Sequence, residues 1–122
     1  MKDCPRLYIG HALEFMLGAT LEPRAARSDP HGWSYFDQRP FLGGGASGLA
    51  PRGVVYTPAP CRAPRKGAAC KLHINLHGCG MAEDALGLTY VQNAGFAEWA
   101  ETNGIVVLFP QTGGTVRALR SV

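Results

Sequence analysis

The chain has 122 residues, of which 46% are hydrophobic and 17% are charged, and its formal net charge is +3. This length allows one domain with a modest core, and the composition is typical of a globular protein rather than a disordered one. The only basic cluster, Arg62, Arg65 and Lys66, is typical of a solvated loop, so we expect no nucleic-acid partner. No stretch approaches the ~20 apolar residues of a membrane span, and residues 1–5 do not resemble a signal peptide.

The first third of the chain predicts one helix, a loop and a short strand. Apolar residues recur with helical spacing from Ile9 to Leu17, and Gly18 can end that helix. Residues 21–32 are rich in proline and arginine and predict a loop. Trp33–Phe36 then predicts a strand.

A Gly-rich segment over residues 42–48 needs separate consideration. It is not a phosphate-binding loop, because it lacks the terminal Lys-Ser/Thr and no helix follows. It is not a nucleophile elbow either, because Leu49 stands where G-x-S-x-G requires glycine. Ser47 is therefore predicted to be a loop serine.

The second half predicts a strand–turn–helix–strand core. Residues 54–57 predict a strand that ends at Pro58. Leu72, Ile74 and Leu76 alternate with polar residues, which predicts a second strand with one apolar face. The elements that follow are a loop with a helical turn over 81–88, a helix over 90–102 ended by Asn103 and Gly104, and a buried parallel strand over 105–109.

The turn after the second strand is the candidate functional centre. His77, Gly78, Cys79 and Gly80 follow the strand directly, and the two glycines allow a sharp turn and a close backbone approach to a ligand. α/β-Hydrolases place part of their oxyanion hole in the loop after an early strand. The Cys79 backbone N–H could supply one such donor.

The cysteine and histidine residues allow two other interpretations, a disulfide and a zinc site. A hairpin between the first two core strands would bring Cys61 and Cys70 together as a disulfide, leaving Cys4 and Cys79 unassigned. Cys70, His73, His77 and Cys79 resemble a zinc set. In a strand, however, His73 and His77 lie about 13 Å apart, too far to share a tetrahedral ion. We therefore predict no metal site.

Acyl transfer also needs a nucleophile and a histidine base oriented by a carboxylate. None of the four serines stands in an elbow, and none can be paired with a histidine. They are Ser28, Ser34, Ser47 and Ser121. The residues alone therefore predict one part of an oxyanion hole but no catalytic nucleophile.

Residues 4–112 resemble the polyhydroxybutyrate depolymerase family of esterases, in their extracellular or periplasmic form. The resemblance rests on Cys-x-Leu-His-x-x-Leu-His-Gly-Cys over 70–79, on Glu-Trp-Ala-x-Thr-Asn over 98–103, and on Pro110-Gln111. Further matches occur at 21–24, at 36–38 with Phe41, at 54–58 with Cys61, at 90–96 and at 104–112.

The resemblance implies a circularly permuted α/β-hydrolase, a three-layer α/β sandwich that is incomplete in this chain. The catalytic serine, aspartate and histidine would all precede the region seen here, and the chain would be a C-terminal portion that is inactive alone. His77, Gly78 and Cys79 would be the oxyanion-turn positions, with the Cys79 amide as the donor. The substrate would be a polyester or short-acyl ester, the location extracellular or periplasmic, and no cofactor would be needed. The chain departs from the family's sequence pattern after Thr112, which suggests a truncated or frameshifted end.

We expect one partial domain: a helix and Gly/Pro-rich region at 1–50, the core at 51–112, and an irregular tail at 113–122. Sheet edges and apolar faces left without neighbours would favour self-association. The alternatives are an aryl or feruloyl esterase of the same fold, a non-catalytic remnant or binding module, and the disfavoured zinc module.

Overall fold

The structure is a computed structural model that describes residues 4–43, 48–63, 66–67 and 69–113. Ser47, Arg65, Ser121 and the predicted tail beyond Gly113 lie outside these described residues. The α-helices of the described chain are α1 (Cys4–Leu17), α2 (Ala59–Arg62), α3 (Glu83–Leu86), α4 (Thr89–Asn93) and α5 (Phe96–Asn103). The strands are β1 (Trp33–Asp37), β2 (Arg52–Tyr56), β3 (Lys71–Ile74) and β4 (Ile105–Phe109). Short 3-10 helices cover Pro30–Gly32 and Arg39–Phe41.

The strands form one mixed sheet in the order β1-β2-β4-β3. β1 and β4 both pair antiparallel with β2, while β3 and β4 run parallel. The predicted hairpin between β2 and β3 is wrong, because β4 lies between them. β4 takes this central place because it is apolar on both faces. β3 alternates apolar with polar residues and is largely exposed, which suits a strand at the edge of a sheet.

The helices pack on one face of the sheet and form the core there. Ile105, Val107 and Phe109 of β4 are at most 1% exposed and face that side. They share a cluster with Val54 and Tyr56 of β2, Leu13 of α1, Val91 of α4, and Ala97 and Ala100 of α5. At Gly10 of α1 a Cβ would overlap the Trp99 indole, so glycine allows α1 to approach α5 closely.

The opposite face of the sheet is also apolar. Leu72 and Ile74 of β3 are aligned with Val106 and Leu108 of β4, and Leu108 is aligned with Val55 of β2. Leu72 and Ile74 are 58% and 55% exposed, and the three β2 and β4 residues are half-buried. These five residues are called the second face below. They lie outside the helix-covered core cluster.

Helix ends follow the glycines. Gly18 and Gly104 both have φ +61°, the left-handed conformation predicted for them after α1 and α5. The single helix predicted over 90–102 is wrong, because Gly95 at φ +88° separates α4 from α5. No helix among the described residues is long and apolar enough to cross a membrane.

Candidate functional site: the turn after β3

β3 is held against β4 up to the point where the chain turns. The Lys71 N–H donates to the Gly104 carbonyl at 3.0 Å, and the Asn75 N–H donates to the Leu108 carbonyl at 2.8 Å. The Asn75 side chain accepts a hydrogen bond from the Tyr90 hydroxyl at 2.9 Å. The end of β3 is therefore fixed both to the sheet and to α4.

Residues 78–81 form a tight turn. The Met81 N–H donates to the Gly78 carbonyl at 3.2 Å. Gly80 has φ +70°, whereas Cys79 does not have a positive φ. A positive φ only at the third position defines a type II turn, so the glycine at position 80 is required by the backbone. This confirms the sharp turn predicted from the two glycines.

His77 connects this turn to the chain beyond β4. Its Nδ1 lies 2.9 Å from the Gly78 carbonyl oxygen. Its Nε2 accepts a hydrogen bond from the Thr112 N–H at 3.3 Å, and the Thr112 hydroxyl lies 3.4 Å from the same nitrogen. Because Nε2 is an acceptor, the proton of the neutral ring is on Nδ1, which donates to the Gly78 carbonyl. Backbone groups thus engage both ring nitrogens.

Cys79 occupies the exposed second position of the turn. Its thiol is free and exposed. Within the described part of the chain, no group accepts a hydrogen bond from its backbone N–H. An exposed N–H on a fixed peptide can stabilise a negatively charged oxygen without reorganisation.

Two buried glutamines support the region beside the turn, and the sequence did not identify them. Gln38 and Gln111 are 2% and 1% exposed. The Gln38 amide nitrogen donates to the carbonyls of Ala50 and Gln111, and its oxygen accepts from the Gln111 N–H. The Gln111 side-chain oxygen accepts from the Glu83 N–H at the start of α3. Both residues lie within matched segments of the family resemblance, but nothing in those segments signalled that they would be buried.

A shallow cleft of about 510 Å³ adjoins this region, lined by residues that include Arg52, Glu83, Gln111 and Thr112. Arg52 and Glu83 form an ion pair at 2.7 Å. The Arg52 guanidinium also lies 3.9 Å from the centre of the Tyr35 ring. Arg52 and Glu83, two of the charged residues that line the cleft, therefore pair with each other.

The structure does not bring the zinc-like set together. Cys70 forms a disulfide with Cys61, which confirms that pairing, with Cα atoms 6.0 Å apart. His73 stacks on Phe96 with ring centres 4.9 Å apart, and burial lowers the pKa of His73. His77 is engaged as described above. Among the described residues, no three His, Cys, Asp or Glu side chains are placed to hold a metal ion.

The described serines lie away from the turn. Ser34 is exposed on β1, which is three strands from β3 in the sheet and therefore roughly 14 Å away. Ser28 lies in the loop before the first 3-10 helix. Neither serine hydrogen-bonds a histidine within the part of the chain that the structure describes.

Comparisons with known proteins identify similar chains. The chain is 38% identical over 113 residues to a poly(3-hydroxybutyrate) depolymerase of Delftia acidovorans, an alignment that covers 92% of this chain and 22% of the relative. It is 37% identical over 67 residues to a polyhydroxybutyrate depolymerase of Talaromyces funiculosus, covering 55% of this chain and 19% of the relative. The chain therefore spans about a fifth of the length of these relatives. No protein-family profile matches it.

Solved structures agree with the sequence relatives. The crystal structure of a PHB depolymerase from Penicillium funiculosum matches with a TM-score of 0.71 and 32% identity, covering 86% of this chain and 31% of that chain. A serine-to-alanine variant of a PHB depolymerase, complexed with an R3HB trimer, matches with the same values. The four-stranded mixed sheet and its helices are thus an arrangement found in a PHB depolymerase.

Proposed function

Because this chain is a homologue of the polyhydroxybutyrate depolymerases that spans part of their length, we propose that it contributes an oxyanion-hole turn to the hydrolysis of a polyester or short-acyl ester. The observation that carries this proposal is the Cys79 N–H. Cys79 is an exposed residue on the type II turn that follows β3, and its N–H has no acceptor among the described residues.

In the proposed reaction a serine attacks the ester carbonyl while a histidine takes its proton. The carbonyl oxygen becomes negatively charged and accepts a hydrogen bond from the Cys79 N–H. The alcohol then leaves with the proton that the histidine returns, and water hydrolyses the acyl-enzyme. One oxyanion donor of this kind stabilises the transition state by about 3–4 kcal/mol.

We propose that the serine, the base and its carboxylate lie outside these 122 residues. The positions of Ser28 and Ser34, both without a histidine partner, support this. His77 is not suited to act as the base, because backbone groups engage both of its ring nitrogens. The second face, which no described helix covers, supports the further proposal that this sheet is part of a three-layer α/β-hydrolase sandwich.

The relatives' names and the R3HB trimer bound to a similar structure support poly(3-hydroxybutyrate) as the substrate class. An aryl or feruloyl ester is the alternative within the same fold. The Cys61–Cys70 disulfide supports an extracellular or periplasmic location.

The proposal that these 122 residues lack the nucleophile is tested with the purified chain. We expect no turnover of p-nitrophenyl butyrate and no mass adduct after treatment with a fluorophosphonate. Turnover together with stoichiometric labelling would mean that one of the four serines is catalytic, and this part of the proposal would be wrong.

The oxyanion role is tested by placing these residues in the corresponding segment of the Delftia acidovorans relative. We expect the chimera to hydrolyse poly(3-hydroxybutyrate). Cys79→Pro removes the N–H, yet proline is favoured at this position of a type II turn. We therefore expect kcat to fall roughly 100- to 1,000-fold, whereas Cys79→Ala keeps the N–H and the activity. Equal activity of the two variants would show that the Cys79 N–H is not an oxyanion donor. A chimera that hydrolyses only aryl esters would show that aryl esters, rather than poly(3-hydroxybutyrate), are the substrate class.

A further inference from the structure

We propose that the His77 side chain is a positioning residue, whose neutral Nδ1–H tautomer aims the Cys79 N–H at the site where an oxyanion would form. This inference rests on the proposed role of the Cys79 amide. It assigns His77 a function of its own, distinct from that of a general base or a metal ligand.

The argument begins with the planarity of the peptide group. The Gly78 carbonyl and the Cys79 N–H belong to one trans peptide bond, so they point in opposite directions within one plane. A hydrogen bond that holds the Gly78 carbonyl oxygen therefore also determines the direction of the Cys79 N–H. His77 Nδ1, 2.9 Å from that oxygen, supplies such a bond.

Without the bond from His77, the peptide between Gly78 and Cys79 would be held, among the described residues, only by the hydrogen bond that closes the turn. The Met81 N–H reaches the same carbonyl at 3.2 Å, the longer of the two contacts. At 3.2 Å this bond lies at the long end of the usual N–H···O range, so on its own it restrains the Gly78 carbonyl weakly. A carbonyl oxygen has two lone pairs, and the second donor from His77 restricts the first peptide directly.

The tautomer is determined from the opposite side of the ring. The Thr112 N–H donates to Nε2, which leaves the ring proton on Nδ1. Thr112 is itself held in place, because it pairs with Leu49 in an antiparallel bridge and the adjacent Gly113 N–H donates to the Gly48 carbonyl at 2.9 Å. The ring therefore links a fixed backbone donor beyond β4 to the peptide that carries the proposed oxyanion donor.

The test uses nuclear magnetic resonance on the 122-residue chain and needs no hydrolysis. Long-range 15N–1H correlation of the imidazole is expected to show His77 as the Nδ1–H tautomer. The Nε2–H tautomer would overturn the proposal. Failure of the chimera to hydrolyse polyester would leave this result intact, so the two proposals can fail separately.

Two substitutions then test positioning. Asparagine can present an N–H near the place of Nδ1, so His77→Asn is expected to keep the chemical shift and residual dipolar coupling of the Cys79 amide. His77→Phe keeps an aromatic ring without either nitrogen, and is expected to change both values. Amides of β4 serve as the control for a folded sheet. An unchanged Cys79 coupling in His77→Phe, with β4 intact, would show that His77 does not position the amide.

Discussion

Within the turn after β3, each residue type meets a different requirement of the backbone. Gly80 supplies the positive φ, and His77 supplies a side-chain donor to the carbonyl of Gly78. Cys79 supplies an N–H that has no acceptor in the described part of the chain. The Cys79 side chain makes no bond to another cysteine in the described chain. It follows that the backbone of position 79, rather than its thiol, is the part with a proposed chemical role.

The two glycines of the turn are expected to respond differently to alanine. Gly80→Ala forces an L-residue into the left-handed region, which costs about 1–2 kcal/mol. Gly78→Ala is the matched control, because its Cβ would meet only the Met81 sulfur, at an ordinary 3.5 Å, and φ is not positive. Urea unfolding of both variants measures the difference. Equal losses of unfolding free energy would contradict the type II assignment.

At the scale of elements, β3 places polar residues towards the helices. His73 is half-buried against Phe96, and burial lowers its pKa. The unfolded chain therefore binds a proton more readily than the folded one. This contribution to stability is fully present above the unfolded pKa of about 6.5 and is lost as the pH falls from there through the lower pKa of the folded state.

The His73→Gln variant removes this titration. Its unfolding free energy is expected to change less than that of the parent between pH 7 and pH 5, the interval around the unfolded pKa of about 6.5. The exposed His31 provides the control through His31→Gln. Parallel pH profiles for the parent and His73→Gln, measured by urea unfolding, would show that His73 is not the source of the acid sensitivity.

The disulfide between Cys61 and Cys70 joins the end of α2 to the start of β3 across nine positions of sequence. Closing a loop of this size in the unfolded chain is expected to stabilise the fold by about 2–3 kcal/mol. The double variant Cys61→Ala/Cys70→Ala should lose this amount in chemical unfolding. Cys79→Ala, which removes a free exposed thiol, should lose nothing. A double variant as stable as the parent would contradict this account.

The elements that the sequence predicted well are those marked by local patterns. Gly18 and Gly104 ended helices as expected, and Ile105–Phe109 formed a central strand because both of its faces are apolar. The sequence failed where long-range packing decides the outcome. Nothing local places β4 between β2 and β3, or shows that Gln38 and Gln111 meet in the interior. The Thr112 contact that orients His77 depends on the same non-local arrangement.

For the molecule as far as the structure describes it, the sheet has two apolar faces and helices on only one of them. A strand with apolar residues on both faces is typical of a sheet covered on both sides. Among the described strands, none pairs with the other edge of β3. Alternate backbone groups of β3 point to that edge, since only Lys71, His73 and Asn75 are oriented towards β4. We therefore propose that the isolated chain self-associates through the second face and this edge.

Self-association through the second face predicts a specific response to substitution. Leu72→Thr/Ile74→Thr keeps residues that favour strands but reduces the exposed apolar surface, so we expect less dimer or larger assembly. Met16→Thr is the control, because Met16 is exposed on α1 away from the second face. Sedimentation velocity across a concentration series measures the association. A parent chain that stays monomeric, or an equal effect of Met16→Thr, would show that the second face is not the contact.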